Sequence, residues 1–325
     1  MFQKNSNTKS RLLHFFPLII GITIILVLVR NSGVGQIQSI MESADYYIIL
    51  FAIFLLAIEI SLKVGRWNKI MPEIGYFSSY RICVITHGLN EVAVSGAGEI
   101  YNIYLCHIKH GISKGRTLMV NVVNRYCDVA FLTGLALMGG SFFLSYEINN
   151  LANFLIPIIV ITAASILFFR PKLISYLVSF IDRYMGRIGN HLITPLDSFK
   201  KHIILFNSEK DFNKKALTCI LLTILPWIIN GFVHKSILYS LGYNLPITFI
   251  LFVTSAAYII GTFSFIPGGL GVRDVVYVTL LDTNAVPEEI SLSAILINRF
   301  MLYVYFSLGT LISVYSYSYE KKNAD

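Results

Sequence analysis

The sequence is poor in charged residues. Only 14% of its 325 residues are Asp, Glu, Lys or Arg, whereas 55% are hydrophobic and the mean hydropathy is +0.66. A water-soluble domain of this length cannot bury so large an apolar fraction, so the composition excludes that class and indicates an integral membrane protein. Apolar runs recur from one terminus to the other and leave no stretch for a separate globular domain. We therefore predict a single membrane domain over 1–325.

Motifs for cofactor binding and catalysis are also missing. The chain has no Walker phosphate loop and no Asp-x-Asp pair. Its four cysteines lie in or beside apolar segments, without Cys-x-x-Cys spacing and without a histidine placed to complete a metal site: Cys83, Cys106, Cys127 and Cys219. We interpret them as buried thiols that act as small hydrophobic groups. We accordingly predict no cofactor and no metal, and we assign no catalytic residue.

Apolar segments of sufficient length set the predicted topology. About 20 apolar residues cross the hydrocarbon of a bilayer, and six segments meet this requirement: 12–29, 46–62, 117–142, 151–169, 216–241 and 292–317. The first follows a basic terminus and is interpreted as a retained anchor helix. Two further apolar segments, 82–105 and 247–281, are interrupted by the glycines of "SGAGE" and "PGGLG". The fold class predicted is an all-α polytopic membrane protein with about six transmembrane helices and two re-entrant helical hairpins.

The distribution of basic residues orients this topology. If both interrupted segments turn back, 21 of the 26 lysines and arginines lie on one side, which the positive-inside rule makes the cytoplasmic side. Both termini are then cytoplasmic, the protein lies in the cell membrane, and 30–45 is an outer loop. The segment 170–215 reads as a basic amphipathic surface segment. Topology and anionic lipid explain the net charge of +8, so no nucleic acid partner is predicted.

Two stretches of the chain share a pattern. Residues 97–126 and 271–300 each begin after a glycine break, place an acid near the start and reach an Asn-Arg-aromatic triplet in a long apolar helix. The acid and the arginine, Glu99 with Arg125 and Asp274 with Arg299, are 26 and 25 residues apart. On the predicted topology the copies have opposite orientations, and such inverted repeats with interrupted segments are typical of transporters that bind their cargo near the midplane.

The second glycine break predicts an anion site. Non-helical backbone is tolerated at membrane depth only where protein or water covers it. A helix that begins near Val272 directs its free N–H groups and its positive dipole end at the turn, and Arg273 adds a formal charge. Asp274 and Glu99 fall in the first turns of their helices, where a carboxylate either caps the helix or takes part in function.

One face of the helix 117–142 is polar. Asn121, Asn124, Arg125 and Asp128 share this face, so Arg125 and Asp128 form either a structural ion pair or a phosphate-binding arginine held by its acid. Arg299 has no acid three or four residues away, so its partner is Asp274, Glu99 or a ligand.

A substrate-binding set follows from these two patterns. Its predicted members are Arg273, Arg299, Arg125, Asp274, Glu99, Asp128, Gly268, Gly269 and Gly271. His234 and Lys235, near the outer end of another apolar segment, are expected to snorkel to the interface.

Five motifs carry a family resemblance: "GRWNKIM" (65–71), "GAGEIYNIYL" (96–105), "NRYCDVAFLTG" (124–134), "PGGLGVRD" (267–274) and "NRFMLYVYFSLG" (298–309). In this order they resemble the lysylphosphatidylglycerol synthase transmembrane region family, a flippase-like membrane domain, over about residues 45–317. The family usually has Pro at Ser95, Arg at Asn102, Glu at Asn124 and Glu at Asp274. The resemblance implies movement of a charged lipid between leaflets, with its headgroup between the two re-entrant hairpins.

We therefore predict a lipid translocase whose cargo is a phospholipid or a polyprenyl-phosphate-linked sugar. The lipid phosphate meets Arg273, Arg299 and Arg125 at the glycine turns. Two alternatives stay open. One is a membrane transferase that acts on a lipid-linked substrate, with Glu99 or Asp274 as its base. The other is an accessory subunit that positions a separate synthase or glycosyltransferase through the segment 170–215.

Overall fold

A computed structural model of the chain describes residues 22–30, 32–93, 96–143, 201–202, 212–264 and 266–322. All regular elements within these residues are helices, which confirms the all-α prediction. The predicted crossing segment 151–169, the first half of the anchor helix and most of the basic segment 170–215 lie outside the described residues.

From residue 34 onward the main described helices are, in chain order, α1 Val34–Glu42, α2 Tyr46–Ile70, α3 Tyr76–Val92, α4 Ala97–His110, α5 Lys114–Phe143, α6 Phe212–Ser240, α7 Ile247–Phe263, α8 Val272–Asp282 and α9 Glu288–Lys322. Four helical stretches are long and apolar enough to cross a membrane: Tyr46–Ile70, Lys114–Phe143, Leu217–Ser240 and Glu288–Ser316. They coincide with four of the predicted crossings. A fifth span results if Ile22–Arg30 and α1, which are bent by 87° relative to each other, count as one.

Two boundaries differ from the predictions. The predicted outer loop 30–45 contains helix α1, whose Ile37 is buried, because apolar residues recur there at helical spacing. Helix α2 also continues to Ile70, well past the predicted end of its crossing at residue 62. Hydropathy reports the part of a helix that fits the hydrocarbon, whereas backbone hydrogen bonds carry the helix further.

Both predicted breaks are present. The first lies between α3 and α4, where Gly96 has a φ of 92°. The second lies between α7 and α8, where a short 3₁₀ turn, Pro267–Gly269, is followed by α8. Gly268, Gly269 and Gly271 have φ values of 54°, 64° and 78°. L-residues adopt such backbone angles at a cost, so glycine is required here by the turn itself. Whether each hairpin turns back within the membrane stays a prediction.

The order of helix lengths is repeated along the chain. Helices α2 to α5 have 25, 17, 14 and 30 residues, with the break after the second. Helices α6 to α9 have 29, 17, 11 and 35 residues, again with the break after the second. The similarity seen in the sequence thus extends to the two helices that precede each break. The opposite orientation of the two copies stays a prediction.

The chain separates into two compact units that interleave in sequence. Unit A comprises Met1–Ala57, Val84–Gly98 and Ile228–Asp325, and unit B comprises Ile58–Cys83 and Glu99–Trp227. Each unit contains one of the two acid–arginine combinations that the sequence pattern singled out. The prediction of a single membrane domain is not tested by this division.

Glycines allow close contacts within unit A, both at the second break and between α9 and α3. A Cβ atom at Gly261 on α7 would lie 3.0 Å from the Cβ atom of Arg273 and 3.5 Å from the Cα atom of Gly269. On α9, a Cβ atom at Gly309 would lie 2.6 Å from a methyl group of Val84. Larger residues at these points would push the helices apart, so Gly261 fixes the position of the turn and Gly309 fixes the spacing between α9 and α3.

Candidate functional site

The centre of the candidate site in unit A is an ion pair between Asp274 and Arg299. The Nη2 group of Arg299 donates to both carboxylate oxygens of Asp274 at 2.8 Å, and its Nε donates to Oδ1 at 3.2 Å. The backbone N–H of Gly271 donates to Oδ2 of Asp274 at 2.8 Å. The two side chains are 1% and 4% exposed. Asp274 therefore both caps helix α8 and pairs with Arg299, and of the three partners considered for Arg299 the structure has Asp274.

Arg273, the next residue along the chain, has a different environment. Its side chain is also buried, and its guanidinium carbon lies 4.8 Å from the centre of the Tyr258 ring, a cation–π contact. Its guanidinium makes no hydrogen bond to any described residue. A guanidinium has five N–H donors, so Arg273 retains donors for a ligand, whereas all but the Nη1 group of Arg299 are engaged.

Glu91, at the end of helix α3, lies against the glycine turn. Its Oε2 atom is buried and has no hydrogen-bond partner within the described part of the chain. A Cβ atom at Gly268 would lie 2.6 Å from this oxygen. The carboxylate also attracts Arg273 electrostatically, although the two groups form no ion pair. Glycine at 268 thus lets a carboxylate reach the turn.

A small cavity adjoins these groups. Its lining includes His234, Tyr258, Arg273, Asp274, Tyr277 and Asn298, and its volume is about 10 Å³. This space accommodates about one water molecule.

His234 is part of that lining rather than of the membrane interface. Its side chain is 4% exposed, its Nδ1 atom lies 3.2 Å from the hydroxyl oxygen of Tyr277, and its Nε2 atom has no partner among the described residues. The expectation that His234 snorkels is therefore wrong. The pairing with Tyr277 keeps the ring inside unit A.

The corresponding pair in unit B is more open. Arg125 donates to Oε1 of Glu99 from Nη2 at 2.6 Å and from Nε at 2.8 Å. The side chain of Arg125 is 46% exposed and that of Glu99 is 21% exposed. The two units thus contain the same combination of acid and arginine at nearly the same sequence spacing, but one pair is buried and the other is accessible.

Asp128 does not pair with Arg125, which corrects both interpretations of this helix face. Asp128 instead receives two parallel hydrogen bonds from Arg66, at 2.9 and 2.8 Å, and one from the indole N–H of Trp227 at 2.8 Å. The Nε group of Arg66 donates to Asn124 at 2.7 Å. Arg125 is turned toward Glu99 on α4, because residues three apart on a helix lie about 60° apart around its axis.

The structure divides the predicted site residues into two groups. Arg273, Arg299, Asp274 and the three turn glycines come together in unit A, and Glu99, Arg125 and Asp128 belong to unit B. Sequence reasoning missed Glu91 and Arg66. Glu91 and Glu99 are the two acids of the interrupted apolar segment 82–105. A carboxylate in such a segment was the signal that could have identified Glu91. Arg66 lies beyond the end of the predicted crossing 46–62, so the sequence pattern gave no reason to place it beside Asp128.

The helices, their apolar lengths and the charged pairs at the breaks define a multi-pass helical membrane protein. The profile of the lysylphosphatidylglycerol synthase TM region family matches residues 15–309, and the chain belongs to this family. A UPF0104 membrane protein from Pyrococcus horikoshii is 20% identical over 313 residues, 88% of this chain and 91% of the relative. A UPF0104 membrane protein from Methanothermobacter thermautotrophicus is 22% identical over 311 residues, 92% of each chain.

Proposed function

We propose that this protein moves a phosphate-containing lipid, a phospholipid or a lipid-linked sugar, between the two leaflets of the cell membrane. The observation that carries the proposal is Arg273, a buried arginine that makes no hydrogen bond to any described residue beside a glycine turn. Both termini are cytoplasmic in this proposal, as the distribution of basic residues suggests.

The chemistry of the turn suits a phosphate. A buried polar group without a hydrogen bond is unfavourable, so the donors of Arg273 favour any ligand that supplies acceptor oxygens. A phosphodiester offers such oxygens with a negative charge, and a planar guanidinium binds it in a two-pronged geometry. The first turn of α8 adds its positive dipole end from the same side. Arg299, already neutralised by Asp274, holds the first turn of this helix in place.

The different exposure of the two acid–arginine pairs supports translocation over simple binding. A translocase has to offer its cargo a polar site from each side of the membrane in turn, and repeated halves provide two versions of one site. The pair Glu99–Arg125 is accessible, whereas the pair Asp274–Arg299 is enclosed. We propose that the pairs change between the accessible and the enclosed state as the headgroup passes, while the acyl chains stay in the bilayer.

The proposal is tested in vesicles that contain the purified full chain and an acyl-labelled phospholipid with an unmodified headgroup. An impermeant reductant bleaches the label in the outer leaflet, so further bleaching reports translocation. We expect Arg273→Gln to lower the rate at least about tenfold, a change of about 1.4 kcal/mol. Arg273→Lys keeps the charge but loses the planar stacking on Tyr258, and an intermediate rate is expected.

Arg30 provides a matched control, because it is an exposed arginine. Arg30→Gln is expected to translocate lipid at the wild-type rate. Circular dichroism of each variant establishes that the helices are intact. A wild-type rate in Arg273→Gln would contradict the site assignment, and a rate in wild-type vesicles no higher than in protein-free vesicles would contradict translocation itself.

A further inference from the structure

We infer that Glu91 makes the glycine turn selective for lipids whose phosphodiester carries a primary ammonium group, as a phosphoethanolamine headgroup does. The inference rests on the proposed function, since it takes Arg273 as the phosphate ligand. It adds the chemical class of the cargo and a residue that selects it.

The charges of unit A around the turn carry this inference. Asp274 and Arg299 neutralise each other, and all the oxygens of Asp274 are engaged. Arg273 and Glu91 are left, one positive and one negative, and neither makes a hydrogen bond to a described residue. The other titratable groups around Arg273 are Tyr258, Tyr303 and His234.

A zwitterionic headgroup matches this pair. Its phosphate satisfies the donors of Arg273, and its ammonium group donates N–H groups to the carboxylate of Glu91, so each of these two charges gains a hydrogen-bonded partner of opposite charge. An anionic headgroup such as phosphoglycerol leaves Glu91 without an ammonium partner and places a second negative charge near it. A quaternary ammonium group supplies the positive charge but has no N–H donor.

Gly268 is part of the same arrangement. A side chain at this position would begin 2.6 Å from the Oε2 atom of Glu91 and would displace the carboxylate from the turn. The present cavity of about 10 Å³ is smaller than a phosphate group, so headgroup entry requires its lining to open. Gly268, Gly269 and Gly271 all have positive φ, and these glycines make the turn the least costly place for the backbone to change.

Direct binding tests the inference without relying on transport. The purified full chain in neutral maltoside micelles is titrated calorimetrically with soluble dihexanoyl lipids that carry phosphoethanolamine, phosphoglycerol or phosphocholine headgroups. We expect the phosphoethanolamine lipid to bind at least about tenfold more tightly than the phosphoglycerol lipid. Glu91→Gln keeps the shape of the side chain and removes its charge, and it should reduce this preference below about threefold, mainly by weakening the phosphoethanolamine lipid.

Glu288→Gln makes the same chemical change at an exposed carboxylate in the first turn of α9 and is expected to keep the wild-type preference. Equal binding of the two headgroups by the wild type, absence of binding, or an unchanged preference in Glu91→Gln overturns the inference. Translocation without headgroup preference would leave the proposed function standing while refuting the role of Glu91. Selective binding without translocation would refute the proposed function and leave the role of Glu91 standing.

Discussion

The two acid–arginine pairs should differ sharply in what they contribute to stability. Asp274→Asn removes one charge from a pair whose side chains are at most 4% exposed, and it leaves Arg299 buried without its counter-ion. Breaking a buried pair in this way costs about 3 to 5 kcal/mol. Glu99→Gln makes the same change in a pair whose arginine is 46% exposed, so the guanidinium that loses its partner is not enclosed by protein, and we expect a loss of about 1 kcal/mol or less.

The measurement is equilibrium unfolding of the purified protein in mixed micelles, followed by helical circular dichroism as the denaturing detergent is increased. A double variant, Asp274→Asn with Arg299→Met, removes both charges and keeps most of the volume. It should recover at least about half of the loss caused by Asp274→Asn alone, because the unpaired guanidinium is then gone. Equal losses of stability for Asp274→Asn and Glu99→Gln would refute the argument that burial decides how much each pair contributes to stability.

Two further substitutions test the packing. Gly269→Ala places a Cβ atom 3.0 Å from the Cα atom of Gly261 at a φ of 64°, so we expect a loss of about 1 to 3 kcal/mol in the same unfolding assay. Gly65→Ala on helix α2 meets nothing within 4 Å and should leave stability unchanged or raise it; a larger loss there than at Gly269 would contradict the geometry. Arg66→Lys cannot form the two parallel bonds to Asp128 and should lose about 2 kcal/mol. Arg116→Lys alters a pair whose acid is half exposed and should lose less; an equal loss would speak against the network around Arg66.

Local features of the sequence predicted local features of the structure. The Pro-Gly-Gly-x-Gly run fixed the end of α7 and the start of α8 at Val272, because few other residues adopt the backbone angles of this turn. In each repeat the acid lies on one helix, the arginine lies on the next helix, and a short turn connects the two helices. This shared connection explains why Asp274 pairs with Arg299 and Glu99 pairs with Arg125.

Contacts between distant segments could not be predicted from the sequence pattern. Asp128 and Arg66 are 62 residues apart, and no periodicity relates them. An arginine three residues away on the same helix was the nearer candidate, yet Arg125 faces another helix. Glu91 was missed for a similar reason, since it lies against Gly268, far along the chain. His234 was assigned to the interface from its distance to the helix end, but burial is decided by the neighbours that pack around it.

The most direct test of the central claim is the time course of outer-leaflet accessibility for an acyl-labelled phosphoethanolamine lipid in vesicles with the wild-type protein. Translocation predicts that bleaching continues beyond the outer-leaflet share of about half the label until nearly all of it is lost. Mass spectrometry should find the lipids of a parallel sample without reductant chemically unchanged. Bleaching that stops at the level of protein-free vesicles would contradict translocation, and a chemically altered headgroup would favour a transferase instead.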